Sequence, residues 1–380
     1  MVVSSSAASR PAARREVRWT GLVAALVAAA WLLGSSPEPS EPAGDGASPP
    51  ARSVGSVWPS APRASMPSAL GDGGTYTPGF FVDVKTSIGP AVTADGAFVQ
   101  LLVVPDAGAI LELRRLPAES APQFFGFTSG TGWVAWAESS EDASGRRTTS
   151  MWVIGSDLKG APRRIVADAG DVRQTDSTYD LAIVDGRLHW TAIGPGDDAS
   201  TELRSVVVDG GDPRTTTIPR LWSPVAWPWL MDSTDAVGGG RIVLMNRLDR
   251  ATREFTVGPA DFPACGATWC RSIVVDDGSS GRVDLVRVDG TERRRVAGPD
   301  VGFPVTDVAV LDRFEVLTGL DPASRAAQGR PLQIYDIARD ATVTVASDAI
   351  SVRYSGGFLW WSSGFEDRVS WTALELRALT

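Results

Sequence analysis

From Tyr76 to the C-terminus, apolar and polar residues alternate in short bursts separated by Gly, Asp and Pro. Alternation with a period of two marks a strand with one buried face, and the Gly/Asp clusters between bursts mark turns. The bursts group into a longer repeat. A Gly leads into an aromatic or apolar strand, then a polar loop, a second alternating strand, an Asp-Gly or similar turn, and a basic outer strand. Gly132–Asp168, Gly186–Ile218, Cys270–Val296 and Gly356–Leu379 carry the pattern most clearly. Weaker copies lie at Ala97–Leu116, Trp229–Val257 and Phe314–Val345.

Successive copies are offset by roughly 35 to 55 residues, most near 40, which is the period of a four-stranded propeller blade. One such sheet has two faces that it cannot bury alone, so copies must pack face to face around an axis. The sequence therefore predicts an all-β fold, a β-propeller over residues 76–380. Seven copies fill this stretch at about 44 residues each; the count is six if the divergent first copy supplies only a closing strand. Phe80–Val84 is the candidate for that strand, pairing with the last blade to remove unpaired sheet edges. Trp136, Trp190, Trp229 and Trp360 recur at comparable places. They are expected to fill the wedges between blades and not to form an exposed carbohydrate-stacking platform.

A different pattern precedes the repeat. Arg10, Arg14, Arg15 and Arg18 face a single acid, Glu16, and the uncharged apolar run Trp19–Leu33 follows. As a helix this run spans roughly 22 Å, short of a bilayer core of about 30 Å. The reading is a basic cytoplasmic segment over 1–18 and a transmembrane or signal-anchor helix over 19–34. The alternative is signal cleavage near Ala28–Ala30 and secretion. No Lys or Arg follows the run until Arg52, so the positive-inside rule puts the N-terminus in the cytoplasm and the bulk of the chain outside the cell membrane. No cysteine lies just after the run, which excludes a lipoprotein anchor. Residues 35–75 are rich in Ser, Pro, Ala and Gly without apolar periodicity, and read as a disordered tether.

The 45 acidic and 36 basic residues leave a net charge of −9, which argues against a nucleic-acid partner, since phosphate binding needs a basic face. One histidine and two cysteines are too few for four-cysteine or three-histidine zinc sites. No phosphate-cradling Gly loop, dinucleotide fingerprint or G-x-S-x-G element occurs, so no cofactor and no metal is expected. His189 lies between Leu188 and Trp190 and on the opposite strand face from both, which suits a packed or hydrogen-bonded residue. Cys265 and Cys270 flank a short hairpin with Gly266 in its turn. Outside the membrane a structural disulfide is expected there, with inert thiols or a redox pair as the alternatives. Asp197, Asp198, Asp235, Asp276 and Asp277 read as solvated loop charges, and Arg293–Arg295 as the exposed edge of an outer strand. The stretch 276–281 lacks the spacing of a calcium loop.

The segments WVIGSDLKGAPRRIV, LRSVVVDGGDPRTTTI and VDLVRVDGTERRRV share an outer strand, an Asp/Gly turn, basic residues and a β-branched strand. In this the chain resembles TolB-like β-propellers, particularly the membrane-anchored or exported ones of high-GC actinobacteria, over about four-fifths of its length. The SPDG signature common in TolB blades has Thr93-Ala94-Asp95-Gly96 as its nearest counterpart. The resemblance implies the fold and not a Tol–Pal partnership. The function expected is a membrane-tethered extracytoplasmic binding or scaffold module for an envelope protein or glycan. The alternative is a carbohydrate-active lyase or hydrolase with carboxylates at the propeller mouth.

Overall fold

Each alternating burst pairs with the next across a tight turn, and the result is seven antiparallel sheets in succession along the chain. The computed structural model describes residues 52–196, 199–236, 239–259, 261–275, 281–320, 329–365 and 368–379. The apolar run over 19–34, the first part of the tether, Asp197, Asp198, Asp276 and Asp277 lie outside the described residues. The sheets are blades of one β-propeller: blade 1 (75–117), blade 2 (123–166), blade 3 (171–219), blade 4 (223–257), blade 5 (261–297), blade 6 (301–349) and blade 7 (352–375). The blade count is seven, so the six-blade alternative falls away.

Strands in the middle of a blade are covered on both faces and therefore read as continuous apolar runs. In blade 2, Trp133–Glu141 pairs with Arg147–Gly155 from Trp133↔Gly155 to Glu141↔Arg147, and Val134 to Ser139 are all buried. The apolar interior is not one core. It consists of seven clusters, and each cluster joins residues of two neighbouring blades. Trp136 fills the seam between blades 1 and 2, Trp190 that between 2 and 3, and Trp360 that between 7 and 1; each is at most 1% exposed. Trp229 is only half-buried, packed at the margin of the seam between blades 4 and 5 with the Arg253 guanidinium 4.2 Å from its ring centre.

The propeller begins earlier than residue 76. The strand Arg63–Pro67 pairs antiparallel with Ser370–Glu375, from Arg63↔Leu374 to Pro67↔Ser370, and forms the outermost strand of blade 7. Before it, the short helix Val54–Val57 starts on a Ser53 cap, and Val54 and Trp58 are buried in the seam between blades 6 and 7. The reason the tether reading fails here is physical. An outermost strand needs only one apolar side chain turned inward, and Met66 supplies it at 6% exposure, so a Ser/Pro-rich composition suffices. Phe80–Val84 is not the closing strand. Phe80–Asp83 pairs with Thr86–Val92 inside blade 1, while ring closure rests on residues 63–67.

Candidate functional site

The first strands of the blades line the central channel of a propeller, and a cavity of about 690 Å³ opens among residues of blades 1, 2, 3, 6 and 7. Its wall comes from Thr77–Gly79 of blade 1, Gln123–Phe127 of blade 2, Pro304–Thr306 of blade 6 and Ser351–Ser355 of blade 7. Gly89 lets the 77–79 backbone lie flat on the next strand. A Cβ at Gly89 would meet the Thr77 carbonyl oxygen at 2.1 Å.

Gln174, Asp176, Ser177, Thr178 and Asp180 add to the wall from a polar segment of blade 3 that reaches residues on blades 6 and 7. Ser177 and Asp180 of this segment are buried, and polar groups at that depth persist only when their hydrogen bonds are met. Two carboxylates meet them. Asp180 accepts from the Thr175 backbone N–H at 2.8 Å and from the Thr175 hydroxyl at 2.5 Å. Asp307 of blade 6 accepts from the Ser177 hydroxyl and from the Thr178 N–H at 3.0 Å. The Thr178 hydroxyl lies 3.1 Å from the Ser355 hydroxyl and accepts from the Gly356 N–H at 3.1 Å. Burial pushes the Asp307 carboxyl up to about 6, against the lowering pull of Ser177, Thr178 and the Arg271 charge. Burial likewise lifts Asp180 to about 6, opposed by its two bonds from Thr175. Tyr179 is pushed to about 12 by burial and by the charges of Asp307 and Asp312.

Beside Asp307, Arg271 and Glu315 form a buried ion pair at 2.6 Å. The second Glu315 oxygen accepts from the Ala309 N–H at 2.8 Å, and Arg271 also donates to the Thr306 carbonyl at 3.3 Å. The exposed Arg353 guanidinium on the cavity wall is different: among the described residues it has neither ion pair nor hydrogen bond. Gln123, Gln174 and the half-buried rings of Phe124 and Phe125 share that wall. A free guanidinium beside amides and aromatic rings suits an anionic, partly apolar ligand.

The residues singled out from sequence lie elsewhere. Asp235 is exposed and sits 3.4 Å from Arg220, and Arg293 and Arg294 on the outer strand Arg293–Ala297 pair with Asp284 and Glu292. His189 is half-buried at the seam between blades 3 and 4. Cys265 and Cys270 stand directly opposite one another across a hairpin of blade 5, buried in the seam with blade 4, with sulfurs 2.03 Å apart. If the disulfide expected from the sequence forms, peptide mapping without reductant recovers the two cysteines in one cross-linked fragment; recovery of both as alkylated thiols from oxidised protein would refute that expectation. Sequence reasoning missed Asp180, Asp307, Arg353 and residues 174–180. The one available cue was a lone Asp307 inside the apolar run PVTDVAV.

No protein-family model and no curated protein matches the sequence. Among solved structures, the chain is similar to the β-propeller domain of the Trilobed protease from Pyrococcus furiosus (9% identity, TM-score 0.44, covering 64% of this chain and 80% of that one). It is also similar to Pyrococcus horikoshii acylaminoacyl peptidase (9% identity, TM-score 0.42), of which it spans 43% while 64% of this chain is covered. TolB from Acinetobacter baumannii is matched at 8% identity and a TM-score of 0.37, covering 67% of this chain and 79% of that one. These likenesses concern the fold alone.

Proposed function

We propose that the protein is a binding module of the cell envelope, tethered by its N-terminal apolar segment and taking a carboxylate-bearing envelope component into the axial cavity. The observation that carries this reading is the Arg353 guanidinium, which stands in the cavity without a partner among the described residues. A planar carboxylate matches the guanidinium fork, and Gln123, Gln174, Phe124 and Phe125 would hold the uncharged part of the ligand. The buried carboxyls favour binding over catalysis, because Asp180 and Asp307 each already accept two hydrogen bonds from the segment they hold in place.

A second reading, a carbohydrate-active enzyme, draws on the same two carboxyls. Both have a proton affinity raised toward neutrality, as acid–base groups need. One experiment separates the two readings. Full-length protein is titrated with solubilised envelope peptides and acidic glycans while products are monitored. Binding without products, weakened about tenfold by Arg353→Gln, is the expected result. Turnover that disappears in Asp307→Asn but survives Arg353→Gln would replace the binding reading with the enzymatic one.

A further inference from the structure

The seams between blades are not equal. Among the described residues, that between blades 3 and 4 holds five buried apolar residues, Leu203, Ile218, Trp222, Leu230 and Met245, where the other six hold nine to sixteen. A cluster of cationic and aromatic groups lies at the same seam. The His189 ring, on a blade 3 strand, lies 4.6 Å from the Trp227 ring of blade 4, and the Arg247 guanidinium stands 5.1 Å from that indole on its other hairpin. Arg247 is half-buried and its side chain makes one long hydrogen bond, 3.5 Å to the Arg204 carbonyl across the seam.

Arginines over aromatic rings are common in this molecule, and most have an acid to balance them. Arg114 pairs with Glu138, Arg163 with Asp209, Arg271 with Glu315, Arg287 and Arg294 with Glu292, and Arg313 and Arg339 with Asp336. Arg247 has no such partner among the described residues, and neither do its neighbours Arg250 and Arg187. The electrostatics follow. Burial and the Arg250 charge pull Arg247 down to about 10, and burial with the charges of Arg247 and Arg187 pulls His189 down to about 4. Keeping positive charge half-buried and unpaired is costly, and a bound anion removes that cost.

We propose that the seam between blades 3 and 4 binds a phosphate-class oxyanion, held by Arg247 and His189 beside Trp227, with the exposed Arg250, three residues along the same hairpin, free to swing in as a third donor. A tetrahedral oxyanion fits better than a carboxylate. One guanidinium fork saturates a planar carboxylate, whereas two guanidinia and an imidazole on two blades match oxygens pointing in several directions and a charge near −2. The shared chemistry covers free phosphate and a phosphate monoester alike.

The test uses the sole histidine of the chain, so the imidazole signal of full-length protein labelled at histidine needs no assignment. The His189 titration is followed by NMR at fixed ionic strength in chloride, in inorganic phosphate and in glycerol 3-phosphate. The expected result is an upward shift of the midpoint by about one pH unit or more in phosphate relative to chloride. In Arg247→Gln or, should that variant fail to fold, Arg250→Gln, the difference between the two salts is expected to shrink to a few tenths of a unit or less. A response to the ester that exceeds the response to free phosphate identifies a monoester as the ligand. Identical midpoints in chloride and both phosphates, or a phosphate shift unchanged in a folded variant, would overturn the proposal.

Discussion

Deleting residues 53–67 is expected to abolish cooperative folding. The deletion removes the outermost strand of blade 7 and the buried side chains of Val54, Trp58 and Met66. At about 1.5–3 kcal/mol for each buried large apolar side chain, the loss reaches roughly 4.5–9 kcal/mol, comparable to the whole stability of many domains. It also exposes the edge of Ser370–Glu375, whose ladder partners are residues 63–67, and an open edge recruits other chains. The truncated protein should therefore elute as aggregates in size-exclusion chromatography and lose its sharp melting transition. Trp58→Ala alone should cost about 3–5 kcal/mol, because its ring packs edge-on against Phe314 at 6.0 Å inside the seam between blades 6 and 7. If the 53–67 deletion melts like the full chain, ring closure does not depend on this strand.

What was legible in the sequence is what local pattern encodes. The strands Trp133–Glu141 and Phe358–Ser363 announce themselves because both faces of a middle strand are buried, and Trp136 and Trp360 follow from that burial. The closing strand was not legible, because it is five residues long, buries Met66 alone and carries Pro67 at its end. Phe80–Asp83 looked a better candidate because of its apolar density, which instead reflects packing within blade 1 and against its neighbours. The axial cavity was hidden for another reason. Residues 174–180 are almost entirely polar, and the hydrogen bonds that hold Ser177 and Thr178 in place are made with Asp307 and Ser355, which lie 130 and 177 residues away. The cationic seam at Trp227 was illegible on the same ground. His189 and Arg247 are ordinary residues in their own strands and hairpins, and only the stacking of blade 4 on blade 3 brings them to one indole.

Replacing Glu315 by Ala is expected to destabilise the propeller by about 3–5 kcal/mol, far more than removal of any exposed ion pair. The Glu315 side chain is fully buried and that of Arg271 is 8% exposed, so the substitution leaves an interior guanidinium without its ion-pair partner, with only the neighbouring Asp307 carboxyl to offset it. It also takes the acceptor from the backbone N–H of Ala309, a residue only 3% exposed. Arg241→Ala serves as the surface control. Its pair with Glu254 is more than half exposed on both sides, and its removal should shift the urea midpoint little. The informative variant is the double replacement Arg271→Met with Glu315→Leu. A buried ion pair is expensive to desolvate, so substituting the whole pair by apolar side chains should recover most of the loss, to within about 1–2 kcal/mol of the parent. Such recovery would show that the pair's cost lies in leaving one charge alone, not in losing the attraction between two. Because Arg271 also donates to the Thr306 carbonyl on the cavity wall, the double variant should reduce binding at the axial cavity even where stability returns. A Glu315→Ala loss below about 1 kcal/mol would mean that water reaches Arg271, and the pair would then have to be regarded as solvated.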